Sequence, residues 1–255
     1  MVLSTFAPSL WMGFFLGENA MTMTPQREKI AARQRELQAA GFYNGAIDGI
    51  AGRLTKQAER EYQQMLEDAH QPISINNPRP YHKQIAWGKK VTQLFKEKVL
   101  WIVDDLKWPE QAADWLMACM AFESGESFRS DIRNGAGSGA VGLIQFMPST
   151  ASALGVDVSI LAKMSPEAQL FYVHKYFKPY KGRINSLSDL YMAILWPVGV
   201  GKNDSYILWD KKNKPVTYRQ NSGLDVNKDF VITKGEAAKK VSEKLARGLL
   251  DENKG

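Results

Sequence analysis

The segment 115–122 limits most strongly what this chain can fold into. It reads Trp-Leu-Met-Ala-Cys-Met-Ala-Phe, so a helix formed by these residues is apolar on nearly every side. A helix of this kind is stable only when it lies inside a hydrophobic core. Few segments anywhere in the chain show the alternation of apolar and polar residues that is typical of half-buried strands. We therefore predict a mainly α domain built around this helix.

The chain has room for such a domain and for a small accessory module, because it has 255 residues. Its formal net charge of +6 favours an anionic polymer as partner, such as nucleic acid, lipopolysaccharide or peptidoglycan with its acidic stem peptides. No recognised helical reading motif or basic-aromatic cluster accompanies this charge. We therefore expect no nucleic-acid partner.

The cysteine and histidine content argues against several kinds of site. Cys119 is the only cysteine, which excludes an internal disulfide, and its apolar neighbours indicate a small buried hydrophobe. The histidines His70, His82 and His174 are scattered, so neither a cysteine–histidine catalytic pair nor a zinc site is expected. We expect no metal ion and no other cofactor.

Composition divides the chain into four regions. Polar residues with three prolines lie between His70 and Lys83 and indicate a linker of limited flexibility. The apolar run 10–16 is too short to span a bilayer and has no Lys or Arg before it, so it belongs either to a secretory signal or to an extension ahead of a start at Met21 or Met23. The predicted regions are an N-terminal extension (1–26), a small helical unit (27–68), the linker (69–86) and a helical domain (87–255).

The unit 27–68 contains short helical segments separated by glycine turns. It reads Gln-Arg-Glu-Leu-Gln-Ala-Ala-Gly-Phe-Tyr-Asn-Gly at 34–45 and Asp-Gly-Ile-Ala-Gly at 48–52, and we expect Thr55 to cap the helix that follows. These motifs resemble the common peptidoglycan-binding module. The resemblance implies a small helical peptidoglycan-binding domain, with peptidoglycan glycan strands as its partner.

The buried helix of the larger domain ends at Glu123, which is followed by Ser124 and Gly125. A carboxyl group at the end of a buried helix is poorly solvated and lies near the negative end of the helix dipole, and both effects raise its pKa. A carboxyl group that stays protonated near neutral pH can act as the general acid that protonates a glycosidic oxygen. The alternative is an ordinary solvated glutamate at the end of a surface helix.

A glycine-rich segment follows between residues 128 and 150. Its glycines at 135, 137, 139 and 142 let the backbone approach a ligand closely. The run Gly-Leu-Ile-Gln-Phe-Met-Pro at 142–148 then leads into a helix that we expect to begin near Pro148. A phosphate-binding loop is excluded, because the Gly-Lys-Ser/Thr ending is missing and no predicted strand precedes the segment.

Three short motifs stand in order along this domain: Glu123-Ser124, Gly-Leu-Ile-Gln at 142–145, and Tyr191 within Leu-Tyr-Met-Ala. In this order and spacing they resemble the soluble lytic transglycosylase family of the lysozyme superfamily, over about residues 90–200. The resemblance implies a lysozyme-like catalytic domain with Glu123 as the sole acid/base. It also implies that Ser124, Gln145 and Tyr191 are substrate-binding neighbours of that glutamate.

The chain departs from the family pattern at several positions. The family places an aromatic residue three positions after the catalytic glutamate, whereas Phe128 comes five positions after it, so Glu126 competes for the catalytic role. Ile144 replaces the usual Met, and Met192 stands where Asn is usual. The alternative for Tyr191 is a buried tyrosine of the core.

The segment 225–236 carries oxygen-bearing side chains at its first, third, fifth and twelfth positions. This pattern resembles an EF-hand calcium loop. The sixth position requires glycine for a sharp turn, and Phe230 stands there instead, where a left-handed backbone is strained. Calcium binding is therefore one interpretation, and a stable Asx turn leading into the next helix is the other.

A helix is predicted at about 234–250, with Lys and Arg on one side and Val241, Leu245 and Leu249 on the other. We expect the apolar side to pack on the rest of the domain. The alternative is that this basic amphipathic helix contacts an anionic outer-membrane surface.

The resemblance to the soluble lytic transglycosylases implies an enzyme that cleaves the β-1,4 bond between N-acetylmuramic acid and N-acetylglucosamine and forms a 1,6-anhydro end. Two alternatives stay open: a goose-type lysozyme, in which Asp131 or Glu126 positions a hydrolytic water, and a non-catalytic wall-binding or virion structural protein. The pairing of the two regions resembles bacteriophage endolysins and virion-associated lysozymes. We expect a monomer that acts in the periplasm or cell wall and is phage-encoded or exported.

Overall fold

A computed structural model of the protein describes residues 23–39, 42–70, 83–133, 135 and 137–255. The N-terminal apolar run and most of the predicted linker lie outside these residues. Within them the chain is mainly α-helical with little strand, which confirms the predicted fold class. The elements are α1 (Pro25–Ala39), α2 (Arg53–His70), α3 (Gln93–Asp105), α4 (Ala112–Glu123), α5 (Pro148–Ala153), α6 (Val158–Leu161), α7 (Pro166–Phe177), α8 (Leu187–Leu195), β1 (Ile207–Asp210), α9 (Pro215–Asn221), β2 (Val231–Thr233) and α10 (Lys234–Gly248), with short 3₁₀ turns at Gly88–Lys90, Lys178–Tyr180, Pro197–Gly199 and Ser222–Leu224.

The unit formed by α1 and α2 has a small hydrophobic cluster of its own, in which Leu37 and Tyr43 are buried. Helix α2 begins two residues before the predicted cap, so Thr55 lies inside its first turn. The buried hydroxyl of Thr55 donates to the carbonyl of Ile50 at 3.1 Å. The prediction that Thr55 caps the helix is therefore wrong, because this side chain instead fixes the turn that precedes α2.

Helix α4 lies at the centre of the larger core. Most of its residues are fully buried, and α3, α8 and α10 pack around it. This burial follows from its apolar surface, which no single neighbouring element could cover. The helix begins at Ala112, whose N–H donates to the carbonyl of Pro109 at 2.8 Å in a turn before the first helical residue. Pro109 therefore lies in this turn, ahead of the helix.

Helices α3 and α7 pack side by side and are both capped at their starts. The hydroxyl oxygens of Thr92 and Ser165 accept hydrogen bonds from backbone N–H groups in the first turn of α3 and α7, at 3.1 and 3.2 Å. Pro148 occupies the first turn of α5, as predicted. Leu94, on α3, is 46% exposed.

Strands β1 and β2 form an antiparallel pair that the sequence did not indicate. Thr233, at the end of β2, begins α10 with a capping box. Its hydroxyl accepts from the N–H of Glu236 (3.2 Å), and the Glu236 carboxylate accepts from the N–H of Thr233 (3.0 Å). Because the start of α10 is fixed in this way, the helix runs from the strand pair towards α4.

Helix α10 packs on α4 and α8, as predicted, and Val241 is fully buried there. Leu249, which follows the helix, is 40% exposed. At the start of the helix the buried ammonium group of Lys234 lies 2.5 Å from the carboxylate of Asp189 on α8. Within the described residues, no helix combines the length and apolar character needed to cross a membrane. Contact with an outer-membrane surface stays a prediction.

Candidate active site

Helix α4 ends in a Schellman arrangement. The N–H of Glu126 donates to the carbonyl of Ala121 (2.6 Å), and the N–H of Gly125 donates to that of Phe122 (3.4 Å). Gly125 has a φ of +62°, which glycine adopts without a Cβ clash. The glycine therefore stops the helix and leaves Glu123 on its last turn.

The side chain of Glu123 is only partly exposed. Burial raises its pKa to about 7 from the usual 4.5, because desolvation disfavours the charged form. The rise in pKa predicted from the sequence is therefore found, with burial as its cause. A carboxyl group with this pKa is partly protonated at neutral pH, so it can donate a proton and later accept one.

Two tyrosines lie near Glu123. Tyr191, on α8, is 3% exposed, and its ring meets that of Phe122 edge to face at 5.7 Å. Tyr176, on α7, donates its hydroxyl hydrogen to the carbonyl of Ala193 at 2.6 Å. Burial raises the pKa of both phenols, and the charge of Glu123 raises both further. The carboxylate of Glu123 therefore acts electrostatically on both phenols.

The sequence did not single out Tyr176 or a second residue of α7, Gln169. The two are seven positions apart and share one helix face with Val173, which is buried. Gln169 is fully buried as well. The sequence feature that could have indicated Gln169 is a glutamine on an otherwise apolar helix face. This feature is ambiguous, because glutamine residues usually face solvent.

Ser124 lies under the loop that follows α4. It is 2% exposed, and its hydroxyl oxygen accepts a hydrogen bond from the N–H of Phe128 at 3.0 Å. Its carbonyl accepts one from the hydroxyl of Ser127 at 2.7 Å. These bonds direct the ring of Phe128 into the core, 6.4 Å from Trp87 and 6.1 Å from Phe95. Ser124 therefore shapes the loop, and a direct contact with substrate stays a prediction.

Glu126, the competing carboxylate, is engaged by two cations of α10. It is paired with Lys244 and with Arg247, the latter at 2.7 Å. Asp131 is exposed and paired with Arg129 at 2.7 Å, and this guanidinium lowers the pKa of the Asp131 carboxyl. The two carboxylates considered for positioning a hydrolytic water are thus both held in ion pairs.

The Gly-Leu-Ile-Gln motif forms a tight turn closed by a β-bridge between Val141 and Phe146. Two of its residues are left-handed, Gly142 with φ +84° and Gln145 with φ +52°. The side-chain amide of Gln145 donates to the carbonyls of Gly142 (3.1 Å) and Ile132 (3.3 Å). Because Ile132 belongs to the segment that follows α4, the amide fastens the turn to that segment.

The segment 225–236 forms successive Asx turns. Asn227 Oδ1 accepts from the N–H of Asp229, and Asp229 Oδ1 accepts from the N–H of Val231, both at 2.9 Å. Phe230 has a φ of +68°, the left-handed conformation that is strained for a bulky residue. Among the residues with a described position, no group of three His, Cys, Asp or Glu side chains is arranged to hold a metal ion. Calcium binding stays an untested interpretation.

Two cavities of about 560 and 650 Å³ lie away from Glu123. The first lies between the unit of α1 and α2 and the larger domain, where the rings of Phe42 and Phe171 are 5.6 Å apart. The second lies between the start of α8 and α10. Glu123 lines neither cavity, so substrate binding by its neighbours Ser124, Gln145 and Tyr191 stays a prediction.

One part of the chain matches a known family. A family model described as a peptidoglycan binding domain matches residues 26–67, which nearly coincide with the unit predicted at 27–68. In sequence the chain matches no curated protein. The family match supports a cell-wall-binding module formed by α1 and α2, and hence peptidoglycan as a partner of this chain.

Proposed function

We propose that the protein is a peptidoglycan lytic transglycosylase with Glu123 as its only acid/base. The observation that carries the proposal is the carboxyl group of Glu123, which burial holds at a pKa of about 7 at the end of α4. Both protonation states are populated near neutral pH at this pKa, so one group can serve as acid and then as base.

In the proposed reaction Glu123 first protonates the oxygen that bridges N-acetylmuramic acid and N-acetylglucosamine. The bond from the muramic C1 to this oxygen breaks, and N-acetylglucosamine leaves as the alcohol. The Glu123 carboxylate then takes the proton of the muramic C6 hydroxyl, whose oxygen bonds to C1 and closes the 1,6-anhydro ring. No water enters, and the carboxyl group ends protonated as it began. Ring closure therefore needs one carboxylate, whereas most glycosidases use two.

The surroundings of Glu123 support this assignment over hydrolysis. A hydrolytic route usually has a second carboxylate that positions water, and the two candidates, Glu126 and Asp131, are held in ion pairs. We propose Gln145 and Tyr191 as substrate-binding neighbours of Glu123, because one lies on the motif turn and the other beside the carboxylate. Ser124 would act through the loop that it holds.

The matched module supports action on the cell wall. A wall-binding module joined to a glycan-cleaving domain is the arrangement of bacteriophage endolysins and virion-associated lysozymes. By this analogy of domain order, we propose that the enzyme reaches peptidoglycan in the periplasm or cell wall from the host cytoplasm or from a virion.

Digestion of purified sacculi tests the proposal, with the wild type, Glu123→Gln and Glu126→Gln compared by mass spectrometry of the products. We expect 1,6-anhydro ends from the wild type and from Glu126→Gln, and roughly a hundredfold less product from Glu123→Gln. Products with only reducing ends would identify a hydrolytic muramidase. Equal release by the wild type and Glu123→Gln would reject Glu123 as the catalyst, and no release by any of the three would indicate a wall-binding protein without this activity.

A further inference from the structure

The side-chain amide of Gln169 joins three separate segments of the larger domain. Its Oε1 accepts a hydrogen bond from the N–H of Leu143 at 2.7 Å. Its Nε2 donates to the carbonyls of Ser130 (3.1 Å) and Leu161 (2.9 Å). The residue is 0% exposed. One planar group with one acceptor and two donors thus satisfies one N–H and two carbonyls that have no access to water.

Gly142 leaves the space that this amide occupies. A Cβ atom at Gly142 would lie 2.3 Å from Oε1 of Gln169, and the φ of this glycine is +84°. A side chain at this position would therefore clash with the amide and strain the backbone. The Gly-Leu-Ile-Gln motif and the glutamine of α7 are therefore complementary in shape at Gly142 and in hydrogen bonding at Leu143.

Two of the segments joined by Gln169 carry or adjoin residues of the proposed active site. Leu143 is part of the turn that carries Gln145, and Ser130 is part of the segment that follows Glu123. Gln145 bonds to the same segment through the carbonyl of Ile132. The position of the turn relative to the end of α4 therefore depends on Gln169 from inside the domain and on Gln145 from its surface.

We propose that Gln169 is a positioning residue that fixes the motif turn, and with it Gln145, for glycan binding beside Glu123. This proposal rests on the function proposed for Glu123. Gln169 acts through the backbone of the turn and does not contact the sugar. A carboxylate in its place would keep an acceptor for Leu143 but would face the carbonyls of Ser130 and Leu161 without a proton to donate. A protonated carboxyl group would keep the acceptor and supply one donor.

This difference between the two forms of a carboxyl group makes Gln169→Glu a pH-dependent test. With soluble glycan strands as substrate, we expect kcat/KM to fall by about tenfold relative to wild type at about pH 8, where the new carboxyl group can ionise. At about pH 5 the ratio of variant to wild type should recover, because the protonated side chain restores two of the three bonds. The loss should lie mainly in KM if the turn serves binding.

Gln169→Met supplies a second variant of similar size that lacks all three hydrogen bonds at every pH. We expect its KM to rise by about tenfold without recovery at low pH. Ser130→Ala is the matched control, since it removes a neighbouring, partly buried hydrogen bond, from the Ser130 hydroxyl to the carbonyl of Met164 at 2.5 Å, and keeps the backbone carbonyl that Gln169 binds. The control should lower the melting temperature and keep the wild-type KM.

Binding separates this proposal from that of the catalyst. In the Glu123→Gln background, Gln169→Met should weaken binding of a soluble GlcNAc–MurNAc tetrasaccharide by about tenfold in calorimetry. The wall-binding module is identical in both proteins, so a difference reports on the larger domain. Unchanged binding by Gln169→Met would overturn the positioning role, whether or not the wild type cleaves glycan. If the wild type cleaves glycan, an unchanged KM in both Gln169 variants would also overturn it. A Gln169→Glu variant that shows the same KM ratio at both pH values would also overturn it.

Discussion

The unit of α1 and α2 and the larger domain each use a buried glutamine to fasten a glycine turn. In the unit, Gln34 Oε1 accepts from the N–H of Gly49 at 2.9 Å, and in the domain Gln169 Oε1 accepts from the N–H of Leu143, next to Gly142, at 2.7 Å. Both glutamines are 0% exposed, and both glycines have positive φ. Because the hydrogen-bond arrangement is the same in both regions, any difference in its contribution to stability comes from the residues that surround it.

The two regions differ in how much local backbone strain their hydrophobic cores can offset. The described core of the unit consists of Leu37, Tyr43 and Ala58 with a few partly buried neighbours, and its left-handed turn residue is Gly49. The larger core extends over α3, α4, α7, α8 and α10. A core of that size leaves stability to offset unfavourable local features. All seven non-glycine residues with positive φ among the described residues lie in the larger domain: Trp87, Lys107, Glu126, Phe128, Gln145, Lys228 and Phe230.

The comparison predicts that the smaller unit depends most on its glutamine. Gln34→Leu leaves the buried N–H of Gly49 without a partner and removes the amide donor to Asp48 and Thr55, and an unpaired buried group costs about 1–3 kcal/mol. We expect the unit to unfold and pelleting with sacculi to fall roughly tenfold or more, while the larger domain keeps its calorimetric transition. The pelleting is measured in the Glu123→Gln background, so that the sacculi stay intact.

Gln57→Leu is the matched control on the same unit. Gln57 is an exposed glutamine of α2 whose amide donates to Glu61 at 2.9 Å. Exposed substitutions of this kind change stability by about 0.5 kcal/mol at most, so binding to sacculi should be unchanged. A folded, wall-binding Gln34→Leu variant would show that the unit has as much stability in reserve as the larger domain.

The buried carboxyl group of Glu123 is a second unfavourable feature that the stability of the larger domain offsets. Glu123 has a pKa of about 7 in the folded protein and 4.5 as an ordinary glutamate, so between these values the folded state binds more protons than the unfolded state. Stability therefore falls as pH rises across that window. We expect Glu123→Gln to be more stable than wild type above about pH 7, by up to roughly 3 kcal/mol. Urea denaturation at about pH 4, 6 and 8 should show the difference vanishing at the lowest pH.

The same titration sets the rate of the proposed reaction. Proton donation requires the acid form of Glu123, so kcat should fall as pH rises through about 7. Glu126→Gln, which keeps Glu123, should show the same profile. A wild-type kcat that stays constant across this range would mean that another group supplies the proton, and the stability gained by Glu123→Gln would then reflect burial without catalysis.

The ion pairs of Glu126 provide a smaller test of how much stability the larger domain can lose while it stays folded. Glu126→Gln removes the charge that pairs with Lys244 and Arg247 on α10, and since the carboxylate is 22% exposed we expect a loss of about 1 kcal/mol with the activity retained. Asp131→Asn, which affects an exposed pair, should leave the melting temperature nearly unchanged. Thermal denaturation measures both. A loss of activity in Glu126→Gln without unfolding would return Glu126 to the list of catalysts.

Sequence patterns located the parts of this molecule that depend on neighbours in the chain. The apolar surface of 115–122 predicted the buried helix, Gly125 predicted its end, and the glycine turns predicted the wall-binding unit. These features are local, since each follows from the side chains and backbone freedom of adjacent residues.

The features that the sequence did not reveal are contacts between distant residues. Glu126 meets Lys244 and Arg247 across 118 and 121 positions, and Gln169 meets Leu143 and Ser130 across 26 and 39. A glutamine or glutamate in a helix or loop usually faces solvent, and only the packing of separate segments makes it a buried hydrogen-bond partner. The competition between Glu123 and Glu126 was therefore open in the sequence.

The ends of α3 and α4 offer the finest test of whether the larger domain carries strain. Both end in the same hydrogen-bond pattern, but Lys107, with φ +55°, stands after α3 where Gly125, with φ +62°, stands after α4. A left-handed non-glycine residue costs about 1–2 kcal/mol, and the greater freedom of glycine in the unfolded chain offsets part of the gain. We expect Lys107→Gly to raise the free energy of unfolding by about 0.5 kcal/mol, and Gly125→Ala to lower it. Lys107→Ala, which keeps the Cβ atom, should not stabilise the protein. A neutral Lys107→Gly would mean that the left-handed residue costs this domain no more than the freedom of glycine in the unfolded chain offsets, so that the difference from the wall-binding unit would lie mainly in core size.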